Sequence, residues 1–124
     1  MSEKKWLKKQ AEKVRKADYI DPALYAKYGV KRGLRNDNGS GVLVGLTTIG
    51  NVHGYVMDEG ERKAVPGELY YRGIDVKELV MADKREHRFG YEEAAYLLLF
   101  GELPTEHELI DWKNRIGVHR KLSD

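Results

Sequence analysis

Four histidines, a cluster of cations and a scatter of carboxylates are the side chains of this 124-residue chain that chemistry would draw on. His107-Glu108 opens like a helical zinc-hydrolase signature, in which a second histidine four residues later shares the same helix face. That position is Asp111. The expected reading is a surface helix, and no metal is expected. His53 lies among glycines in a strand-like stretch, while His87 and His119 sit in charged segments. An imidazole that moves protons needs a partner to orient it and a pocket that keeps water out. Nothing in the spacing supplies either. The chain has no cysteine, which removes thiolate nucleophiles, thiolate metal ligands and disulfides together.

The cations gather in the block from Val30 to Gly41, where Lys31, Arg32 and Arg35 alternate with turn-forming residues. An exposed irregular loop is expected there. Glycine lets backbone N–H groups approach closely and the cations neutralise charge, so such a loop has the means to cradle a phosphate. It lacks the Lys-Ser/Thr ending of a P-loop, the spacing of a dinucleotide fingerprint and the aligned carboxylates of a calcium loop. From spacing, a phosphate contact and a plain loop both stand.

The elements that would position these groups are bounded by composition. The length suits one ordinary domain. Twenty-two basic and 20 acidic residues give a net charge of +2, far from the basic surplus of a nucleic-acid-binding domain, and no nucleic-acid partner is expected. No apolar run approaches the ~20 residues of a membrane span, and the N-terminus lacks the apolar core of a secretion signal. A soluble, cytoplasmic protein without a membrane partner is expected.

In order, helices are expected over residues 2–29, the basic Gly-rich loop over 30–41, a small sheet over 42–73 and helices again over 74–117. The first helix places Leu7, Ala11, Val14 and Ala17 on one side. Asp21 reads as an N-cap with Pro22 at the first helical position, and Gly29 as the stop. Gly45, Gly50 and Gly54 interrupt a β-branched run, which suggests bulged strands. Asp58 to Arg62 reads as a turn, and Pro66-Gly67 as a type II turn breaking the second strand. Gly73 ends the strand; Asp75 with Glu78 has capping-box spacing for a helix from Val76 to Ala82. Tyr91 to Phe100 is apolar on every face, so burial all round is expected. Gly101 ends it, and Thr105 with Glu108 forms a second capping box before a helix whose apolar side holds Leu109, Trp112 and Ile116.

The wording of three stretches is more specific than their spacing. Tyr28-Gly29-Val30-Lys31-Arg32-Gly33-Leu34, the corner Gly67-Glu68-Leu69-Tyr70-Tyr71-Arg72-Gly73-Ile74-Asp75-Val76-Lys77-Glu78-Leu79, and Phe89 to Thr105 occur in an order that resembles the N-terminal part of citrate synthase. The resemblance implies a mainly α fold with a small N-terminal antiparallel β-sheet, a piece of the all-α citrate synthase fold. Members of that family condense oxaloacetate with acetyl-CoA, using two histidines and an aspartate for acid–base work.

Those catalytic residues lie in later parts of the family's chain. The resemblance therefore implies an N-terminal piece with no catalytic residue and no tightly bound cofactor, inactive alone, with acetyl-CoA and oxaloacetate as substrates of the parent in the tricarboxylic acid cycle. It implies as partners a second copy, as in the dimers of the family, and the missing C-terminal portion. In relatives the arginine corresponding to Arg32 contacts a CoA phosphate in the active site of the partner subunit, so Arg32 is the one cofactor-binding candidate. Arg72 is expected to be structural. Two alternatives stay open: a 2-methylcitrate synthase piece, which would take propionyl-CoA, and a non-catalytic interaction or scaffold module.

Overall fold

The computed structural model describes residues 2–30 and 45–121. Its elements are α1 (Glu3–Ala17), α2 (Ala23–Lys27), β1 (Gly50–Asp58), β2 (Glu61–Tyr71), β3 (Ile74–Asp75), α3 (Val76–Arg85), α4 (Tyr91–Phe100) and α5 (Glu106–Gly117). The described architecture is thus five helices with one small antiparallel sheet of three strands in the order β1-β2-β3. Of the expected basic loop, residues 31–41 lie outside the described residues, and so does the expected sheet start at Val42.

The core is centred on α4, against which α1 and α5 pack. Tyr96 and Leu97 are each 1% exposed and Phe100 is also buried. Four aromatic rings lock the three helices together. Trp6 of α1 stacks on Trp112 of α5 at 6.4 Å, and Tyr96 and Phe100 of α4 meet Trp112 edge-on at 6.1 and 5.6 Å. Edge-to-face and offset pairs of this kind add to plain burial because positive ring edges meet negative faces. The indole N–H of Trp112 is not lost in the process, since it donates to the carbonyl of Glu92 at 3.0 Å. α4 departs from the expected burial on all sides: Leu99 and Tyr91 are exposed.

The buried face of α1 differs from the sequence expectation. Leu7 and Ala11 face solvent and Val14 and Ala17 are partly buried as expected, while Trp6 and Gln10 are buried and Lys13 partly so. The stripe runs at helical spacing, but Gln10 and Lys13 make it partly polar. Lys13 is admitted because α4 and α5 offer it partners, which a hydropathy pattern within α1 cannot reveal.

β1 and β2 form a hairpin closed by Glu59 and Gly60, whose φ values of 50° and 87° are both left-handed. That is the signature of a two-residue type I′ turn, whose twist matches the flanking strands. The Pro66-Gly67 pair does not break β2 by a turn. The register shifts instead: His53 pairs with Glu68 and Tyr55 with Ala64, so Gly54 alone faces Val65, Pro66 and Gly67. A bulge is where a strand tolerates proline, because the missing N–H is not needed by the ladder.

A second tight turn, Arg72-Gly73, has φ values of 49° and 84° and joins β2 to the two-residue β3. Asp75 then caps α3, its carboxylate accepting the amide of Lys77 at 2.9 Å. The reciprocal bond from Glu78 is not formed among the described residues. The backbone of Asp75 belongs to the β2–β3 ladder, where it pairs with Tyr70. α3 extends to Arg85, three residues beyond the expected end. The box at Thr105 and Glu108 is complete on both sides. At α2, Asp21 accepts the amide of Ala23 at 2.9 Å, and the helix ends in a Schellman motif: Val30 N–H to Tyr25 O at 3.0 Å, Gly29 N–H to Ala26 O at 3.2 Å, with Gly29 at φ 57°.

Candidate functional site

Two polar constellations converge where α1, α4 and the sheet meet. The first is built on Arg72, at the turn between β2 and β3. Its side chain is 4% exposed. Nε and Nη2 donate to the carbonyl of Leu98 at 3.2 and 2.8 Å, Nη1 donates to the carbonyl of Ala17 and to Thr48 Oγ1 at 2.9 Å each, and Nη2 also donates to Asp18 Oδ1 at 2.8 Å. A guanidinium has five N–H groups in a fixed fork, and all of them are engaged. The carbonyls of Ala17 and Leu98 belong to the last turns of α1 and α4, which lack intrahelical donors and carry the negative end of the helix dipole. Arg72 therefore closes two helix ends and ties both to the segment preceding β1, where its own N–H donates to Ile49 O at 2.9 Å.

The second constellation is built on Lys13. Its ammonium donates to Tyr96 Oη at 2.9 Å and pairs with Glu102 at 2.5 Å and Glu108 at 3.2 Å. Burial alone would lower the lysine pKa, but the bonds to Glu102, Tyr96 and Glu108 outweigh it and hold the ammonium above its ordinary value. Glu108 is pulled the other way, to about 2, first by the backbone N–H of Thr105, then against burial by the Thr105 hydroxyl and Lys13. Burial raises Tyr96, with Lys13 opposing. The phenol and the ammonium both stay protonated at neutral pH, so this pair offers no base.

Between the two cations lies a cleft of about 410 Å³ lined by Lys13, Lys16, Thr48, Arg72, Phe100 and Glu102. Its positive lining invites comparison with an anion site, but the donors of Arg72 and Lys13 are already spent on the protein, and Thr48 Oγ1 donates to Ala17 O at 3.1 Å. The arrangement joins helices. Arg72 is thus structural, as expected, and its reach across three elements was not legible from its neighbours in sequence.

The four histidines are not brought together. His53 lies on β1, His87 follows α3 at φ 52°, His107 is on the first turn of α5 and His119 follows α5; all are exposed. Asp111, the residue at the second-ligand position after His107, pairs with Arg115 at 3.0 Å. Among the described residues no group of three or more potential metal ligands lies together. Arg32, with Lys31 and Arg35, lies outside the described residues.

Comparison with known proteins places these features in a family. The family model described as citrate synthase, C-terminal domain, matches residues 34–124. The chain is 34% identical over 89 residues to the citrate synthase of Saccharolobus solfataricus, covering 71% of this chain and 18% of that one. It is 38% identical over 56 residues to a citrate synthase-related protein of Dictyostelium discoideum, covering 45% and 12% of the two chains. It is 44% identical over 54 residues to the 2-methylcitrate synthase of Shewanella oneidensis, covering 44% and 13%. No solved structure matches. The chain belongs to the citrate synthase family. The aligned stretch spans less than a fifth of the length of these relatives.

Proposed function

We propose that this chain is the N-terminal part of a citrate synthase, whose longer form condenses oxaloacetate with acetyl-CoA to citrate and CoA in the tricarboxylic acid cycle, and that the 124 residues are inactive alone. The observation that carries the reading is the family match over residues 34–124 set against relatives of which the chain spans so little. The matched model is described as the C-terminal domain of the enzyme, so the word N-terminal rests on the order of the three motifs. Exposed apolar side chains on and before α4, namely Leu99, Tyr91 and Phe89, support a remainder that covers them. Arg32 is the proposed CoA phosphate contact, through a bidentate charge-assisted pair of the kind arginine favours. The proposed partners are a second copy and the remainder of the enzyme, in the cytoplasm.

A 2-methylcitrate synthase is the second reading, favoured by the Shewanella oneidensis relative. One assay tests both. The chain alone should release no CoA from acetyl-CoA or propionyl-CoA in the presence of oxaloacetate. Mixed with the complementary remainder of the enzyme, it should release CoA, and the preferred thioester names the reaction. Complex formation without CoA release from either thioester would overturn the proposal. In the active mixture Arg32→Ala should raise KM for the thioester far more than it lowers kcat.

A further inference from the structure

The outer face of α1 is a band of cations. Trp6 and Gln10 turn inward, while Lys4, Lys5, Lys8, Lys9, Arg15 and Lys16 are all exposed. At helical periodicity Lys4, Lys8 and Arg15 fall in one row along the helix and Lys5, Lys9 and Lys16 in the next, each row about 16 Å long. None of the six is in an ion pair among the described residues. Of the carboxylates on and beside α1, Asp18 is held by Arg72 and Glu102 by Lys13, which leaves Glu3 and Glu12. The residues outside the described ones carry Lys31, Arg32 and Arg35 against Asp37 and Asp124, so their own balance is also positive.

The band works against the helix that carries it. Lys4 and Lys5 stand in the first turn, where the dipole favours acids. Lys4 with Lys8, and Lys5 with Lys9, are like charges at the spacing where helix side chains meet. Local rules broken in this way, with no gain inside the fold, belong to functional surfaces. The net charge of +2 conceals the band, because residues 2–41 carry +6 and residues 42–124 carry −4. The expectation of no membrane partner rests on the lack of a spanning run, which does not bear on a contact made at the surface.

We propose that this face docks on an anionic lipid surface, by electrostatics and without insertion. Three features select lipid. Five of the six cations are lysine, a strongly hydrated point charge that is depleted where proteins pack on each other, and about four to eight such cations on a helix are what an anionic leaflet attracts. Glu12 lies between the two rows, where the floor of a DNA groove would meet it, whereas mobile headgroups can part around it. The one aromatic of α1, Trp6, is stacked inward on Trp112. Nothing on the outer face can therefore stack a nucleobase, and the apolar side that an inserting amphipathic helix needs is already spent on the core. The proposal rests on α1 alone and stands or falls apart from the citrate synthase reading.

Vesicle flotation tests it with the 124-residue chain. The chain should float with phosphatidylcholine vesicles containing about 30% phosphatidylserine, at about 20 mM salt but not at about 500 mM, and should ignore vesicles of phosphatidylcholine alone. K4E/K8E should lower the affinity at least about tenfold. Glutamate in the first turn suits the dipole, so this variant should keep the parental circular dichroism and Tm. K77E/K84E changes two exposed lysines of α3, with the same effect on net charge, and should lower the affinity by less than about threefold. Brominated lipid should not quench Trp6 or Trp112 in the bound chain. Equal binding to neutral vesicles, equal losses in the two double variants, or quenching by brominated lipid would each overturn the proposal. Tighter binding to duplex DNA than to these vesicles at equal salt would assign the band to nucleic acid and overturn it too.

Discussion

Arg72 donates two hydrogen bonds to the carbonyl oxygen of Leu98, from Nη2 at 2.8 Å and Nε at 3.2 Å, across 26 residues of sequence. The same guanidinium holds Ala17 O at 2.9 Å, so the last turns of α1 and α4 share one donor group. Removing it takes both of these donors from the Leu98 carbonyl and leaves the Ala17 carbonyl with Thr48 Oγ1 alone. Arg72→Ala is expected to destabilise the chain by about 3 kcal/mol, the cost of breaking a buried charged network and leaving its partners unpaired. Asp18 is half exposed and contributes little of this. Arg72→Lys, with three donors and no fork, should recover only part of the loss. Urea denaturation checks both: the midpoint should fall while the slope holds. A midpoint for Arg72→Ala equal to that of the parent would remove Arg72 from its place at the joint.

Acid sensitivity should track Glu108. Its carboxyl is held at about 2, below its ordinary value of 4.5, so the folded state keeps a carboxylate that the unfolded chain would protonate first. That stability is fully present above the unfolded value and is lost as pH falls towards 2. Allowing for partial exposure, about 1–2 kcal/mol should disappear over this window. Glu92, lowered by its bond to Arg120, adds to the same slope. Lys13 acts at the other end: held above 10.5, it contributes below that value and its contribution is lost only as pH rises through its folded pKa. Unfolding free energy measured against pH should therefore fall steeply below 4.5 in the parent and less steeply in Glu108→Gln.

Two helix-ending glycines should differ in their tolerance of alanine. Gly29 and Gly101 both have left-handed φ, at 57° and 80°. A Cβ at Gly29 meets nothing, whereas one at Gly101 falls 2.8 Å from the Cβ of Ala17. Gly29→Ala should cost about 1 kcal/mol from backbone strain alone. Gly101→Ala should cost roughly twice that or more, because α1 must also move away from α4. The two Tm values decide it, and equal shifts would show that α1 sits on α4 less closely than the distance requires.

The two tryptophans should be coupled. Trp6 stacks on Trp112 at 6.4 Å, and Arg115 lies 4.4 Å from the Trp6 ring centroid. Trp6→Ala should cost about 3 kcal/mol. The double substitution with Trp112→Ala should cost less than the sum of the two by about 0.5–1.5 kcal/mol. Strict additivity in the four-variant cycle would mean that the rings are neighbours without interacting.

What could be read from the sequence was whatever is decided within a few residues. The Thr105–Glu108 box, the cap at Asp75, the stop at Gly29 and the glycine ending α4 are set by local backbone chemistry, and the structure has them. The bulge at Pro66 looked like a turn because proline and glycine signal both, and only the partner strand distinguishes them. The buried face of α1 is legible only at Val14 and Ala17, because Gln10 and Lys13 are polar and the groups that receive Lys13 come from Tyr96, Glu102 and Glu108, more than 80 residues away. Arg72 was correctly read as structural, but not its partners, for the same reason. Of the candidate site, the cleft lined by Lys16 and Thr48 has no sequence signal of its own. The one residue that the family resemblance singled out, Arg32, lies outside the described residues.

The turn that carries Arg72 has a further consequence, for the order of events in folding. Its hydrogen bonds close loops of 55 residues to Ala17 and 26 to Leu98, and each closure must be met in chain entropy before the bond is gained. The hairpin and the α4–α5 pair need no such reach and can form first. Arg72 then acts as a latch that shuts after the barrier. Its substitution should leave the refolding rate nearly unchanged and shorten the lifetime of the folded chain, so that stopped-flow unfolding, more than refolding, registers the loss.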